Sequence, residues 1–289
     1  MISTSSAPDS ERLLDQNDDP HMARDWIFNP EAIRCCPNNY PLIDFAGYQW
    51  WTNFHWSKET GPYVWGGKDP KMPEMGTVFD PYLVTKYKGT ELKLAIEPPN
   101  DKYKSWRTSE VCLMDNLGYG RYLVSAGTGE NFAGLDPNAV FGMFTYQFTA
   151  ASLSEGPNVQ REIDALEVLR GANSNAQFML QPWDNRPPGL YFNIPPNTSV
   201  ITVTLDWYLD SSRQKVAKFA IYEGKWTFDT LPREALAHLD ATNSAFKDLI
   251  PSHGWERFHF NLWLMHGRAP QGSQEVVITG FEYLPPPSA

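Results

Sequence analysis

The pattern of apolar and polar positions predicts a protein built from β-strands. From about residue 76 onward, short alternating or continuous apolar runs are separated by Gly, Pro, Asn and Asp, as strands separated by turns are. Eleven segments are predicted as strands: 90–98, 109–115, 119–126, 139–148, 162–169, 176–183, 189–195, 199–209, 218–224, 257–267 and 274–284. Because helices do not alternate with these strands, the pattern favours an all-β sandwich or barrel over βαβ units.

Two further segments break the strand pattern. Residues 232–250, which Pro232 is placed to open, are predicted as one short helical segment. Residues 26–75 are rich in Trp and Tyr but irregular, and we expect them to wrap the sandwich as loops. With no internal repeat and no change in composition, 26–284 is predicted to be a single domain, preceded by a disordered acidic arm (1–25) and followed by a tail (285–289).

Charge and cysteine content narrow the partners and the compartment. The net charge of −10 argues against nucleic acid or an anionic membrane as a partner, because both require basic patches. The N-terminus lacks the basic and apolar regions of a signal peptide, so a cytoplasmic location is expected unless the chain has been processed. Cys35, Cys36 and Cys112 form neither a disulfide framework nor a zinc motif, and three free thiols are predicted.

The segment "REIDALEV" (161–168) carries three carboxylates within a sequence that otherwise resembles a buried strand. Residues two apart in a strand point the same way, so Glu162 and Asp164 share a face, whereas Glu167 comes one position late. A single β-bulge near Ala165–Leu166 would return Glu167 to that face. The alternative is that Glu167 points to solvent and that only two acids share the face.

Three neighbouring carboxylates are costly unless chemistry requires them, because each raises the pKa of the others. Retaining glycoside hydrolysis uses a carboxylate nucleophile and a carboxylic acid that lie about 5–5.5 Å apart. Two glutamates on one face of a strand, on either side of a bulge, can meet that separation.

The string "EIDALE" resembles the Glu-x-Asp-x-x-Glu signature of glycoside hydrolase family 16, the laminarinase and licheninase group of the concanavalin A-like superfamily. The resemblance implies that Glu162 is the nucleophile, Asp164 the assisting residue and Glu167 the general acid/base. It also implies a jelly-roll β-sandwich of two antiparallel sheets with a concave cleft.

The flanking segments extend this resemblance over about residues 76–284. The matching segments are "GYGRYLVSAG" (118–127), "NAVFGMFTY" (138–146), "LDWYL" (205–209) and "NLWL" (261–264). Two features differ from the family pattern: "GPNVQR" replaces the usual lead-in to the first glutamate, and the His ahead of the Trp-containing strand is absent. These differences predict altered sugar subsites.

Six residues are candidates for substrate binding: Trp183, Arg121, His259, Trp263, Trp51 and Tyr146. Trp183 offers an aromatic platform, with a core or rim position as the alternative. A structural ion pair is the alternative for Arg121, core packing for Trp51 and a structural position for His259. No cofactor and no metal-ligand set is predicted, although jelly rolls often hold a structural calcium ion.

Two enzyme functions fit these observations. The first is a retaining glycoside hydrolase or transglycosylase acting on a β-glucan or related oligosaccharide. The second is an intracellular biosynthetic enzyme on the same scaffold, a cyclase or isomerase that performs acid–base chemistry on a small hydrophobic metabolite, with segment 26–75 closing one side of the cleft. A lectin-like binder is a more distant third, because the acidic triad is intact.

Overall fold

The computed structural model describes residues 41–52, 78–101, 105–148, 151–169, 173–182, 189–265 and 268–286. Within these ranges the chain forms sixteen β-strands and four short 3-10 turns. The strands are β1 (Leu42–Phe45), β2 (Tyr48–Thr52), β3 (Val78–Phe79), β4 (Thr85–Tyr87), β5 (Glu91–Ile96), β6 (Arg107–Leu113), β7 (Gly120–Gly127), β8 (Ala139–Tyr146), β9 (Ile163–Val168), β10 (Ala176–Leu180), β11 (Gly189–Phe192), β12 (Val200–Leu209), β13 (Lys215–Glu223), β14 (Ala237–Asp240), β15 (Arg257–Leu264) and β16 (Gln274–Leu284). The 3-10 turns are Pro81–Leu83, Phe132–Gly134, Leu153–Glu155 and Lys247–Leu249.

The strands form two sheets that pack face to face. In the described ranges the larger sheet has nine strands in the order β1-β2-β6-β15-β8-β9-β10-β11, with β3 added alongside β6. The smaller sheet has seven strands in the order β14-β13-β12-β7-β16-β5-β4. Pairing is antiparallel throughout except between β3 and β6. The all-β jelly-roll sandwich predicted from the sequence is confirmed.

A cluster of stacked aromatic rings joins the two sheets. Trp50 of β2 is fully buried and stacks on Phe260 of β15, with 4.9 Å between ring centroids. Phe281 of β16, in the opposite sheet, meets the Trp50 ring edge-on at 5.1 Å and also packs against Phe258 and Tyr122. Burial of large aromatic rings is the main apolar contribution to a core of this kind.

The strand predictions are confirmed, with all eleven predicted segments present and ends that differ by up to three residues. The helix predicted over 232–250 is wrong. Residues Ala237–Asp240 form the edge strand β14, which pairs with β13 through partners such as Ala220 and His238. Only Lys247–Leu249 forms a 3-10 turn. Because β13 would otherwise expose an unpaired backbone edge, tertiary pairing overrides the local helical propensity.

The expectation that 26–75 wraps the sandwich only as loops is also wrong for part of that segment. Residues 42–52 form the hairpin of β1 and β2, and β2 pairs with β6. The hairpin turns through Ala46 and Gly47, both at positive φ (53° and 83°), as a two-residue hairpin turn of the primed type requires. Residues 26–40 and 53–77, like the predicted arm 1–25, lie outside the described residues.

The prediction of three free thiols is wrong for Cys112. This residue, next to the end of β6, is disulfide-bonded, and the other half of the bond lies outside the described residues. Disulfides persist mainly in oxidising compartments, so the cysteines no longer argue for a reducing one. No helix in the described ranges is long and apolar enough to cross a membrane.

Phe281 provides a test of the packing between the sheets. Phe281→Ala should lower the free energy of unfolding by about 3–5 kcal/mol, because it opens a cavity among rings from both sheets. Leu153→Ala is the control, since Leu153 is 79% exposed and should change stability by less than about 0.5 kcal/mol. Denaturant unfolding of both variants is the measurement, and equal stabilities would contradict this account of the core.

Candidate active site

A β-bulge in β9 places the three carboxylates on one face of the larger sheet. Met143 of β8 pairs with Leu166, but the next residue, Phe144, pairs with Asp164, so Ala165 is the extra residue. Ala165 and Leu166 both join the core between the sheets. Glu167 therefore returns to the face that carries Asp164, which is turned away from the smaller sheet and is called the outer face below.

Strand pairing arranges the side chains of the outer face in two neighbouring rows. Directly paired residues of antiparallel strands point to the same face. The first row contains Trp51, Cys112, His259, Phe144, Asp164 and Met179. The second row contains Glu110, Asn261, Gly142, Glu167, Gln177 and Tyr191. Each row thus includes one carboxylate of β9, Asp164 in the first row and Glu167 in the second. Both rows extend across several strands, as the floor of an elongated binding site would.

Side-chain amides of β10 and the adjoining turn hold two of the carboxylates. Gln181 donates from Nε2 to Asp164 Oδ2 at 2.9 Å, and Gln177 donates from Nε2 to Glu167 Oε2 at 2.5 Å. Glu162 is held through its backbone, because the Asn158 side chain accepts from its N–H at 2.9 Å and donates to its carbonyl at 2.8 Å. Neutral amide groups therefore hold the carboxylates of Asp164 and Glu167 directly and Glu162 through its backbone.

Burial and mutual repulsion shift the titration of all three acids toward the neutral form. Burial, followed by the charges of Glu167 and Glu110, raises the pKa of Glu162 to about 8. Burial and the charges of Glu162 and Glu167 raise the pKa of Asp164 well above its usual value, against the lowering effect of Gln181. Burial also raises the pKa of Glu167. Of the three acids, Glu162 with a pKa of about 8 holds its proton at neutral pH, and the pKa values of Asp164 and Glu167 are raised in the same direction.

Arg161, immediately before Glu162, anchors the start of the catalytic segment. Its backbone adopts a positive φ of 51°, which is unfavourable for a residue with a side chain. The side chain is buried and donates to Gln147 Oε1 at 2.7 Å, to the Ser252 carbonyl at 2.5 Å and to Glu155 Oε2 at 2.6 Å. These bonds stabilise the strained backbone at Arg161 and so fix the direction of the chain at Glu162.

A second ionisable pair lies on the outer face. His259 Nδ1 is 3.1 Å from Glu110 Oε1, and the imidazole stacks on Phe144 with 4.9 Å between ring centroids. Asn261 follows two positions later on β15, opposite Gly142. A Cβ at Gly142 would lie 2.5 Å from Asn261 Oδ1, so only glycine allows this close approach.

Four of the predicted binding residues lie on the outer face. His259 is in the first row, beside Asp164 across Phe144. Tyr146 meets the His259 ring edge-on at 6.2 Å, and Trp263 lies half-buried beyond Asn261 on β15. Trp51 is in the first row, but three strands lie between its strand and β9. Its side chain is 9% exposed and is covered by the Arg257 guanidinium at 5.1 Å from its ring.

Arg121 is not part of this site, which corrects its assignment to substrate binding. It lies on β7 in the smaller sheet, where its neighbour Tyr122 points into the core, so Arg121 points away from the larger sheet. There it pairs with Asp206 at 2.9 Å and covers the Phe228 ring at 4.9 Å. Because Arg121 lies on the outside of the smaller sheet, it cannot reach the outer face of the larger sheet. Trp183 lies outside the described residues.

Several residues of the site were not identified from the sequence. Gln177, Gln181 and Glu110 contact the carboxylates or His259 only because strands distant in sequence pair in a particular register. Arg161 offered one signal, since it ends the segment "GPNVQR", which differs from the lead-in expected from the family resemblance. In the described ranges, no group of three or more His, Cys, Asp or Glu side chains is arranged to hold a metal ion.

The fold is similar to that of solved β-glucanases. An endo-1,3-β-glucanase from Streptomyces sioyaensis has a TM-score of 0.55 at 12% identity, over 88% of this chain and 99% of that one. A β-1,3-1,4-glucanase (lichenase) from a mouse hindgut metagenome has 0.50 at 18%, over 82% and 92%. A Bacteroides ovatus mixed-linkage glucan GH16 protein, in complex with a G4G4G3G product, has 0.51 at 11%, over 86% and 98%.

These likenesses define the class of fold: the chain has the glycoside hydrolase family 16-like, concanavalin A-like jelly roll. No protein-family model and no curated protein matches the sequence.

The raised pKa of Glu162 predicts how stability depends on pH. The folded protein retains the proton between the ordinary pKa of 4.5 and the folded value of about 8, so stability falls as pH rises through that range. Glutamine has no carboxyl group to titrate, so the Glu162→Gln variant should not lose this share of the free energy of unfolding. The share is on the order of a few kcal/mol between pH 5 and pH 8. Denaturant unfolding across this range is the measurement, and parallel pH profiles for the wild type and the variant would contradict it.

Arg161→Gly should destabilise the protein by about 2–3 kcal/mol, because loss of the buried hydrogen bonds outweighs the relief of backbone strain. Arg213→Gly is the matched control, since Arg213 also has a positive φ (63°) but is exposed. Its stability should stay within about 1 kcal/mol of the wild type or rise. Denaturant unfolding compares the two, and an equal effect at both positions would show that Arg161 does not anchor the segment.

Proposed function

We propose that this protein is a retaining β-glycoside hydrolase or transglycosylase that acts on a β-glucan or related oligosaccharide. The observation that carries the proposal is the bulge in β9, which brings Glu167 onto the face that carries Asp164, although strict alternation would separate the two. Burial and mutual repulsion shift the protonation of these carboxylates, and they lie on an elongated face of a sheet. Both properties suit the cleavage of a glycosidic bond.

In the proposed mechanism, Glu162 attacks the anomeric carbon while Glu167 protonates the leaving oxygen. The covalent glycosyl-enzyme intermediate is then resolved when Glu167, now ionised, removes a proton from water or from an acceptor sugar hydroxyl. Asp164 lies between the two and shares its proton with them, so that Glu162 can ionise while Glu167 stays protonated. The three groups titrate as one unit, as interacting carboxyls do.

The substrate class is proposed from the outer face and from the solved structures with this fold. Two of those structures are glucanases, for β-1,3- and for mixed β-1,3-1,4-linked glucan. The outer face has polar groups in the second row, with the aromatic ring of Trp263 beside that row and the ring of Tyr146 beyond the first row. Aromatic rings that stack on sugars, with nearby polar side chains that orient them, are the usual means of binding carbohydrate chains.

One observation favours a second candidate, acid–base chemistry on a small hydrophobic metabolite. Part of the first row is apolar, and Met179, Phe144 and Trp51 are all buried there. Asp164 is only 2% exposed, so one acid is shielded from water. Such surroundings suit a cyclase or isomerase that transfers protons at shifted pKa. Hydrolysis of glucans distinguishes this candidate from the first.

Glu162→Gln should lower hydrolysis of laminarin or lichenin by several orders of magnitude without unfolding the protein, because no neighbour can replace the nucleophile. Reducing-sugar release measures the rate, and proton NMR of the first product should show that the anomeric configuration is retained. Glu275→Gln is the control, since Glu275 is an exposed partner of Lys93 on β16 and should leave the rate unchanged.

Three results would oppose the proposal. Inversion at the anomeric carbon would exclude the nucleophilic role of Glu162. Unfolding of Glu162→Gln would assign the residue a structural role. Absence of turnover by the wild type on both polymers would favour the second candidate.

A further inference from the structure

We propose that Tyr191 is a sugar-binding residue of this site, and that its aromatic ring stacks on one unit of a glucan chain that extends from Glu167 toward the β11 edge of the larger sheet. The inference rests on the proposed function for its substrate class, a neutral sugar chain. It adds a subsite that lies away from the three carboxylates and assigns that subsite to one residue.

Strand register places Tyr191 in line with the proposed acid/base. Glu167 of β9 pairs with Gln177 of β10, which in turn pairs with Tyr191 of β11, so the three side chains point to the same face. Two strand spacings of about 4.8 Å each separate β9 from β11. Tyr191 therefore lies about 10 Å from Glu167 along the second row, a distance that a short oligosaccharide spans.

The packing of the two neighbouring residues fixes the direction of the Tyr191 side chain. Leu190 and Phe192, on either side of it in β11, both pack against the core between the sheets. The centroid of the Phe192 ring lies 4.6 Å from that of Phe178, which is fully buried. Because side chains alternate along a strand, Tyr191 is held on the outer face and cannot turn into the core.

Solvent reaches the second row at Glu167 and at Tyr191. Glu110, Asn261 and Gln177 are buried, whereas Glu167 is half-buried and Tyr191 is 45% exposed. Gln177, between the two accessible residues, is bonded to Glu167 through its amide. A ligand above β9, β10 and β11 can therefore contact both Glu167 and Tyr191 without displacing a buried side chain.

The chemistry of this part of the outer face suits a neutral sugar ring. Among the described residues, none stacks a ring on Tyr191 or bonds its hydroxyl group, so the ring is available to a ligand. A tyrosine on a paired strand offers a large, rigid contact area and loses little conformational entropy when a ligand covers it. An anionic ligand would be repelled by the nearby acids whenever they ionise.

A second protein chain fits the β11 edge less well than a sugar does. In the described ranges β11 is the last strand of the larger sheet, so its outer backbone groups could pair with another strand. With only four residues, however, Gly189–Phe192 is a short edge of the kind that resists such pairing. The side chain of Tyr191, rather than the backbone of its strand, is the feature that a ligand would recognise.

The test compares Tyr191→Leu with Tyr191→Phe. Tyr191→Leu keeps an apolar side chain on the edge strand but removes the ring, and it should weaken binding of laminarihexaose or of a mixed-linkage β-1,3-1,4-glucan hexasaccharide about tenfold, the loss expected for one aromatic contact. Tyr191→Phe keeps the ring and should bind within about twofold of the parent. Titration calorimetry in the Glu162→Gln background, which leaves the sugars uncleaved, is the measurement.

Tyr87→Leu is the matched control. Tyr87 is 37% exposed and lies on β4, the last strand of the smaller sheet in the described ranges, so it has a similar setting far from the outer face. This substitution should leave the affinity for both hexasaccharides unchanged. Sedimentation of each variant shows whether the substitutions alter self-association.

The possible results separate this subsite from the hydrolase proposal. Equal affinities of Tyr191→Leu and its parent would overturn the subsite and leave the hydrolase intact, and so would an equal loss in Tyr191→Phe, which would assign the effect to the hydroxyl group. A change in self-association confined to the Tyr191 variants would overturn the subsite in favour of a contact between copies of this chain. Binding that depends on the ring, in a protein whose wild type hydrolyses neither sugar, would overturn the hydrolase and leave the subsite. Absence of binding by both sugars to the wild type and to Glu162→Gln would overturn both.

Discussion

The candidate site depends on one extra residue in a strand. If β9 alternated regularly, Glu167 would point into the apolar core, where an uncompensated carboxylate is very costly. Ala165 takes up the extra position, and it is small enough to turn into the core beside Leu166. The bulge thus converts a short sequence with three acids into one cluster, and it does so in a central strand that is paired on both sides and cannot slip.

The cluster destabilises the fold, and the surrounding residues offset this cost. Neutral amides, rather than cations, contact the carboxylates: Gln177 and Gln181 bind Glu167 and Asp164. A cation would lower the pKa values and leave no proton for acid catalysis. Arg161, which directly precedes the segment, has its guanidinium bound to Gln147, Ser252 and Glu155 instead. Its side chain therefore positions the segment through the backbone, while the acids remain able to hold protons.

The rigid sandwich behind the larger sheet allows this arrangement to persist. Rings from both sheets meet around Phe281, so the larger sheet is supported from one side over β2 and β15. Its outer face is then free to carry groups that contribute little to stability, including the unpartnered atoms of His259 and Asn261. Stability and function are thus divided between the two faces of one sheet, which strand alternation makes possible.

The sequence by itself determined the all-β class and the eleven principal strands, because both follow from local alternation. It also located the three carboxylates, but it left open whether a bulge would bring Glu167 onto the same face. It did not determine β14, since the need to cover the edge of β13 overrides a helix-like composition. It also did not identify Glu110, Gln177 or Gln181, and it misplaced Arg121. Which strands become neighbours, and in which register, is decided by closing the sandwich around its core. Only that closure brings side chains from β6, β8, β9, β10 and β15 onto one surface, because contacts between residues so distant in sequence leave no local pattern.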